Sequence, residues 1–596
     1  MQLTQHFQKS LSAIVALVII LSGGQASGLS FTKLTTGEIV NDGGYSRSVN
    51  LVDYDNDSDL DVFFVNQTGG NASAFLYRND GGAIFTKVQG DPIVADSYAG
   101  DGSSWADIDN DGDLDCFVAT WSNQNDYLYQ NNGNGSFSKQ LTGPLVSTPA
   151  YTDYCSWADY DIDGDVDLFV SVGFGDFKNL LYRNEGAGAF TRILTGPIVN
   201  DGLRAHGAAW GDYDRDGDPD LFVANILQDN SLFKNLGGGN FVKVTGSDPG
   251  IGVGFSERSL WSDFDNDRDL DLFVTNYQNQ SNFLYLNVGD TTFTRVVSGI
   301  VPNDPGYWFS TTSGDIDNDG DIDLYVTQAF NTAADRNKLY MNDGSGNFSA
   351  FAGDAIVTDS GWSISSSFGD LDRDGDLDLV LAKGFGETEN NAVYFNDGNT
   401  NHWLEVRFSG NVSNRSGIGA KISVFATIDG QLRWQFRETT SPSGFGQNGL
   451  EAHFGMGDAA MADSVLVQWP SGRSTILTNV SVDVLLDIYE CGTSDADSDG
   501  INDPCDNCPN TPNVAQTDID GDQVGDACDF LAGDADGSGN ITVSDAVYLI
   551  NYIFNGGPAP SPTLSGDADC SETVTISDAV YLITYIFSGG PAPCNW

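Results

Sequence analysis

The sequence predicts a mainly β chain whose body is a seven-bladed β-propeller, and three observations lead there. An Asp-rich run recurs seven times, beginning at residues 53, 107, 159, 212, 263, 315 and 370, with successive spacings of 54, 52, 53, 51, 52 and 55. Each period holds four short alternating segments separated by Gly- and Asn-rich turns, and none carries a helical apolar period. The two ends of the array complete each other. A unit of about fifty residues with four strands matches one blade of a radial repeat; a linear stack of similar repeats is the alternative.

In the second unit the expected strands are Ser103 to Ala106, Leu114 to Thr120, Tyr127 to Asn131 and Ser136 to Leu141. The seventh unit lacks a fourth strand after Ala392 to Asn396, while Leu29 to Thr35 resembles the fourth strands of later units. The N-terminal segment is therefore expected to complete the last blade and close the ring. Trp105, Trp157, Trp210 and Trp261 stand two residues before their Asp runs. A wedge filling the space between twisted sheets explains them better than an exposed sugar-stacking ladder.

The Asp runs have the spacing of a calcium loop. Calcium takes six to eight hard oxygen ligands, and carboxylates at positions 1, 3, 5 and 9 with a carbonyl at 7 wrap one ion. The candidates are Asp53, Asp55, Asp57, Asp59 and Asp61; Asp107, Asp109, Asp111, Asp113 and Asp115; Asp159, Asp161, Asp163, Asp165 and Asp167; Asp212, Asp214, Asp216, Asp218 and Asp220; Asp263, Asp265, Asp267, Asp269 and Asp271; Asp315, Asp317, Asp319, Asp321 and Asp323; and Asp370, Asp372, Asp374, Asp376 and Asp378. Gly112, Gly164, Gly217, Gly320 and Gly375 occupy position 6, where Ser58 and Arg268 stand in units one and five. Those two loops are expected to be weaker or strained. Magnesium, small and octahedral, fits such a loop less well.

Composition agrees. The chain carries 84 acidic and 26 basic residues, a formal charge of -58. That much like charge needs bound cations, and it disfavours nucleic acid, which is held by Lys and Arg facing phosphates. Lys9 precedes an apolar run from Ala13 to Leu21 and a small-residue end at Ser22 to Ala26, which reads as a signal peptide over residues 1–28. A retained anchor is the alternative, although the run is shorter than a bilayer span. A secreted, periplasmic or cell-surface location is expected, with no transmembrane anchor after cleavage.

With their Leu-Phe-Val and Leu-Tyr-Val strands, the loops over residues 29–400 resemble VCBS and FG-GAP repeats. That resemblance implies a calcium-stabilised propeller used for adhesion or protein contact. Residues 401–490 lose the Asp loops and read as a small β domain with strands at Trp403 to Phe408, Ala420 to Ala426 and Val465 to Trp469. Their tracts Asn414 to Lys421, His453 to Gly457 and Trp469 to Arg473 resemble the ASPIC and UnbV domain. His453, beside Asp458 and Glu451, reads as a packed structural residue. Neither His206 nor His402 has an accompanying cluster in the sequence, so no catalytic residue is expected.

Six of the eight Cys follow residue 490, which suggests a calcium- and disulfide-rich segment. In residues 491–529, Asp495, Asp497, Asp499 and Asp503 repeat the loop spacing, as do Asp518, Asp520, Asp522 and Asp526. The tract Cys505 to Asn510 resembles thrombospondin type 3 repeats, which implies the bridges Cys491–Cys505 and Cys508–Cys528 and leaves Cys570 for Cys594. For Cys116 and Cys155 a disulfide and two buried thiols both remain open. Residues 530–596 form a small α-helical, EF-hand-like module: Asp534, Asp536, Ser538, Asn540 and Asp545, then Asp567, Asp569, Ser571, Thr573 and Asp578, each loop followed by an apolar helix. The module resembles type I dockerins, whose family partner is a cohesin domain. Cys570 and Glu572 depart from the usual pattern of the second loop.

The expected function is calcium-dependent contact with a protein or a glycan, docked through the C-terminal module. The alternative is a scaffold or subunit of a polysaccharide-degrading assembly with hydrolase activity, which would need a carboxylate pair that calcium does not claim.

Overall fold

The computed structural model describes residues 28–67, 71–246, 249, 254–289, 291–332, 335–384, 389–441, 449–491, 496, 508, 533–536, 538, 540–560, 563–569, 571 and 573–593. The expected signal peptide lies outside them, as does almost all of the expected thrombospondin-like segment. The chain divides into two compact units, residues 1–490 and 491–596.

In the first unit, seven four-stranded antiparallel groups follow one another along the chain. The second is Gly100–Ala106, Asp115–Thr120, Tyr127–Asn131 and Phe137–Lys139, paired in that order. The inner two strands of each group are buried almost throughout, so alternation gives way to apolar runs such as Leu221 to Ala224. Phe31–Lys33 pairs with Ala392–Asn396, placing Phe31 opposite Asn396 and Lys33 opposite Tyr394. The N-terminal segment thus supplies the fourth strand of the seventh group.

The expected closed ring of seven separate blades is corrected. Among the described residues the groups form six sheets, not seven, and no sheet closes on itself. Strands Ala205–Gly211 and Asp220–Gln228 belong to the fourth group and Gly254–Ser262 to the fifth. The long strand Asp220–Gln228 overhangs its own partners, and its end pairs Ile226 with Phe255 and Gln228 with Gly254. Two groups therefore share one eight-stranded sheet.

Of the two states left open for Cys116 and Cys155, the structure takes the free, buried thiols. The expected disulfide-rich segment is corrected in that none is shown among the described residues. Cys491 and Cys508 are half-cystines, whereas Cys505, Cys528, Cys570 and Cys594 lie outside the described residues.

Trp105, Trp157 and Trp210 are buried. Trp105 meets Phe63 of the preceding group edge-on, as Trp157 meets Phe117. They fill the space between sheets and are unavailable as a ladder.

Residues 402–489 fold into two small sheets around one apolar core that includes Val406, Ile422, Phe454, Val465 and Trp469. His402–Ser409 lies between Ala452–Gly457 and the parallel strand Val484–Tyr489. The other sheet runs Gln431–Glu438, Lys421–Ile428, Met461–Gln468, Ser474–Ser481. In the C-terminal unit, helices Val543–Asn555 and Ile576–Ser588 pack through Ala546, Leu549, Ala579 and Leu582.

Candidate metal loops

Each Asp run joins the first two strands of its group and folds by one pattern of hydrogen bonds. In the second run the backbone N–H groups of Asp111 and Gly112 donate to the two oxygens of Asp107, over 3.0 and 2.7 Å, and Asp113 N–H donates to Asp111 Oδ1 over 3.0 Å. The same three bonds recur in the other six loops. Position 6 is left-handed throughout: Gly112 has φ 98°, and Ser58 and Arg268 adopt 76° and 73°. The two non-glycine loops thus carry the backbone strain expected of them. Position 4 is left-handed too, even at Ile162 and Arg215.

At each position 3 one buried carboxylate oxygen has no hydrogen-bond partner: Oδ1 of Asp55, Asp109, Asp161, Asp214, Asp265, Asp317 and Asp372. Around them, carboxylates such as Asp107, Asp109 and Asp115, or Asp263, Asp265 and Asp271, bring ligand atoms within 4.8 Å of one another. Burial, the largest cause, pushes Asp61 up to about 9 and Asp115 up to about 8, although backbone N–H groups pull the other way. Burial likewise lifts Asp107 and Asp159 to about 7. A bare loop cannot keep all these groups ionised, and an orphaned buried oxygen is costly. A hard cation with oxygen ligands fits both facts.

The loops are also tied to one another, which the spacing did not reveal. The position-4 side chain reaches the position-7 carboxylate of the next loop: Asn56 to Asp113 over 2.7 Å, Asn110 to Asp165 over 2.9 Å, Asn266 to Asp321 over 2.6 Å and Asn318 to Asp376 over 2.8 Å. Arg215 pairs with Asp269 in the same manner. These position-7 side chains are engaged between loops, which agrees with the carbonyl being the ligand there. An Asn ending each third strand adds a second tie. Asn131 donates its N–H to Asp115 Oδ1 over 2.7 Å and its amide to the Tyr54 carbonyl of the preceding loop over 2.7 Å. Asn79, Asn184, Asn235, Asn287, Asn342 and Asn396 repeat both bonds. The legible signal was the Asn that closes every third strand.

The small β domain sits against these loops. Ser416 Oγ accepts from Asp107 N–H, Lys421 pairs with Asp212, and Arg373 pairs with Glu405 and Glu451. His453 is buried, its Nε2 3.1 Å from the Gly375 carbonyl, and burial pulls it down to about 4. It is a packing residue, as expected.

In the C-terminal unit Ser538 N–H donates to Asp534 Oδ1 and Ser571 N–H to Asp567 Oδ1, each over 3.0 Å. Asp545 accepts from Asp536 N–H and caps its helix through Thr542 N–H; Asp578 does the same with Asp569 and Thr575. Asp569 Oδ1 is another buried oxygen without a partner. Cys570, Glu572 and the loop candidates Asp495 to Asp526 lie outside the described residues.

Models of three families match the chain: the FG-GAP-like repeat over residues 53–118, 107–170, 159–223, 263–326 and 329–381, ASPIC and UnbV over 410–495, and the dockerin type I domain over 532–587. The chain is a multidomain protein of FG-GAP-like repeats, an ASPIC and UnbV domain and a type I dockerin module. It is similar to cartilage acidic protein 1 of Mus musculus, at 26% identity over 245 residues (37% of this chain, 36% of that protein), and of Homo sapiens, at 28% over 239 residues (36% and 35%). It thus matches little more than a third of the length of these curated relatives. Among solved structures, that of an Agrocybe aegerita lectin recognising non-reducing terminal N-acetylglucosamine aligns at 17% identity and a TM-score of 0.40, covering 55% of this chain and 88% of that one. Among the described residues no helix is long and apolar enough to cross a membrane.

Proposed function

We propose that the protein is a calcium-loaded contact protein of a secreted, periplasmic or cell-surface setting, held to a cohesin-type partner by residues 530–596. The seven equivalent orphaned oxygens, one per repeat loop, carry the calcium part of this reading. In each loop positions 1, 3, 5 and 9 would hold the ion with the position-7 carbonyl, and the ion would supply charge compensation and rigidity. The loops also contact the ASPIC and UnbV domain, so filling them would fix how that domain is seated on the repeats.

Docking is supported by the dockerin match and by the apolar side chains the two helices leave exposed, among them Val547, Phe554, Val580 and Phe587. An exposed apolar helix face is a common form of partner surface. Capture of cohesin domains by the full chain, with calcium and with EDTA, is the test. Capture in calcium and its loss in EDTA are expected; equal capture in both, or none in either, rejects the reading.

A further inference from the structure

The residue just before the Asn that closes each third strand is apolar in the last three groups and polar in the first four, where it is Arg78, Gln130, Arg183 and Lys234. The two arginines turn to an acid two residues further on: Arg78 Nε donates to Asp80 Oδ1 over 2.8 Å and Arg183 Nε to Glu185 Oε1 over 3.0 Å. After Lys234 that place holds Leu236, and the ammonium reaches into the fourth Asp loop instead. Its Nζ pairs with Asp214 and lies 3.1 Å from Asp216 Oδ2. Lys421 of the ASPIC and UnbV domain pairs with Asp212 of the same loop.

Two ammonium groups thus hold the carboxylates at positions 1, 3 and 5 of the fourth loop. In the other six loops, among the described residues, the one ion pair at those positions is Arg407 with Asp53, at 3.9 Å. The side chains of Asp212 and Asp214 are 1% and 2% exposed, so solvent screens the two lysine pairs little.

The ligand set of the fourth loop is nonetheless intact, because Asp214 Oδ1 remains buried without a partner. What differs is the charge already in place. A divalent cation entering this loop either displaces Lys234 from its carboxylates or sits beside it, and loses attraction in both cases. We propose that the fourth loop is a low-affinity calcium site whose carboxylates are compensated by Lys234 and Lys421 while it is empty. This rests on the reading of the repeat loops as calcium sites and names the residues that set one of them apart. The fourth group shares its sheet with the fifth, so the fused pair of groups depends on calcium less than its neighbours do.

The second loop supplies the control. Gln130 Nε2 donates to Asp109 Oδ2 over 2.6 Å from the place equivalent to Lys234, without a charge. Lys234→Gln gives the fourth loop that arrangement, and Gln130→Lys brings an ammonium to the second. The measurement is equilibrium dialysis of the full chain against buffered free calcium, read by elemental analysis, with circular dichroism to identify folded variants. In Lys234→Gln one calcium per chain should bind about tenfold more tightly, and in Gln130→Lys one should bind about tenfold more weakly. Lys234→Gln should also melt below the wild type in EDTA and level with it or above it in saturating calcium, a crossing that lost packing alone would not produce. Calcium uptake by the wild type with uptake unchanged in the folded variants overturns this proposal alone, as does a Lys234→Gln chain that melts lower by the same margin in EDTA and in calcium. A wild type that takes up no calcium at any concentration overturns the calcium reading itself.

Discussion

Gly455 donates its backbone N–H to Asp315 Oδ2 over 3.0 Å, so the ASPIC and UnbV domain touches the first carboxylate of the sixth Asp loop directly. Two residues on, Gly457 N–H donates to the Asn318 carbonyl of the same loop over 2.8 Å. A strand of one domain is thus seated on a loop of the other, with no side chain between them at residue 455.

Gly455→Ala should break this seat. An added Cβ would lie 2.2 Å from Asp315 Oδ2 and 2.4 Å from Asn318 Cα, and backbone atoms cannot swing aside. Overpacking of this kind costs about 1–3 kcal/mol. The first thermal transition should fall while cohesin capture is retained; an unchanged midpoint would count against the seat.

Asp161→Asn should separate the role of charge from that of shape. Asp161 Oδ1 is buried without a partner, and the amide keeps the side chain's size while removing its charge. Elemental analysis after dialysis should find one calcium fewer per chain, and the calcium-induced rise in melting temperature should shrink. In EDTA the variant should match the wild type or exceed it, because a repelling charge has gone. Unaltered calcium content would remove Asp161 from the ligand set.

His206 gives stability a pH dependence apart from the Asp loops. Burial opposes its charge, yet Asp153 and Glu257 outweigh burial and raise it to about 9. A raised folded value stabilises below the unfolded value of about 6.5 and loses that stabilisation as pH climbs through 9. The wild type should therefore lose up to about 3 kcal/mol more than His206→Gln between pH 6.5 and 9.5. Parallel denaturant curves for the two proteins across that window would defeat the assignment.

The Asp loops were legible because their alternating Asp spacing, the one a calcium loop would need, shows in residue types alone, and the strand pairing of Phe31–Lys33 followed from a missing fourth strand at Asn396. What escaped notice has a common cause. His206 seemed unaccompanied because its partners Asp153 and Glu257 lie one repeat away on either side, and equivalent positions hold unlike residues, so no motif repeats. The position-4 ties, such as Asn56 to Asp113, likewise exist only between neighbouring groups. The fusion of two sheets depends on how far the strand ending at Gln228 overhangs, a length that alternation does not fix.

Cys116 and Cys155 should behave as inert thiols. Both are buried in the apolar cores between groups, and burial pushes both thiols well above their usual range. Maleimide should label neither in the native protein and both in denaturant without reductant. A mass two protons lower for the peptide pair under non-reducing digestion would instead establish a bridge.

The docking module should present two nearly interchangeable faces. Thr542 and Thr575 cap their helices through matching bonds, and Gly556 and Gly589 end them at φ 67° and 65°. The sequence repeats Ser-Asp-Ala-Val-Tyr-Leu-Ile at residues 544 and 577. Val547 and Val580, equivalent in the repeat, are 58% and 56% exposed, so replacing either leaves the core of Leu549 and Leu582 intact. If a partner can engage one helix or the other, Val547→Asp alone removes one of two equal modes and weakens binding only about twofold, since halving the productive orientations costs about 0.4 kcal/mol. Val547→Asp with Val580→Asp should abolish capture of a cohesin domain in calcium while the module keeps its helical circular dichroism. Complete loss from one single variant and none from the other would mean that the partner uses one fixed face and that the internal repeat serves folding alone.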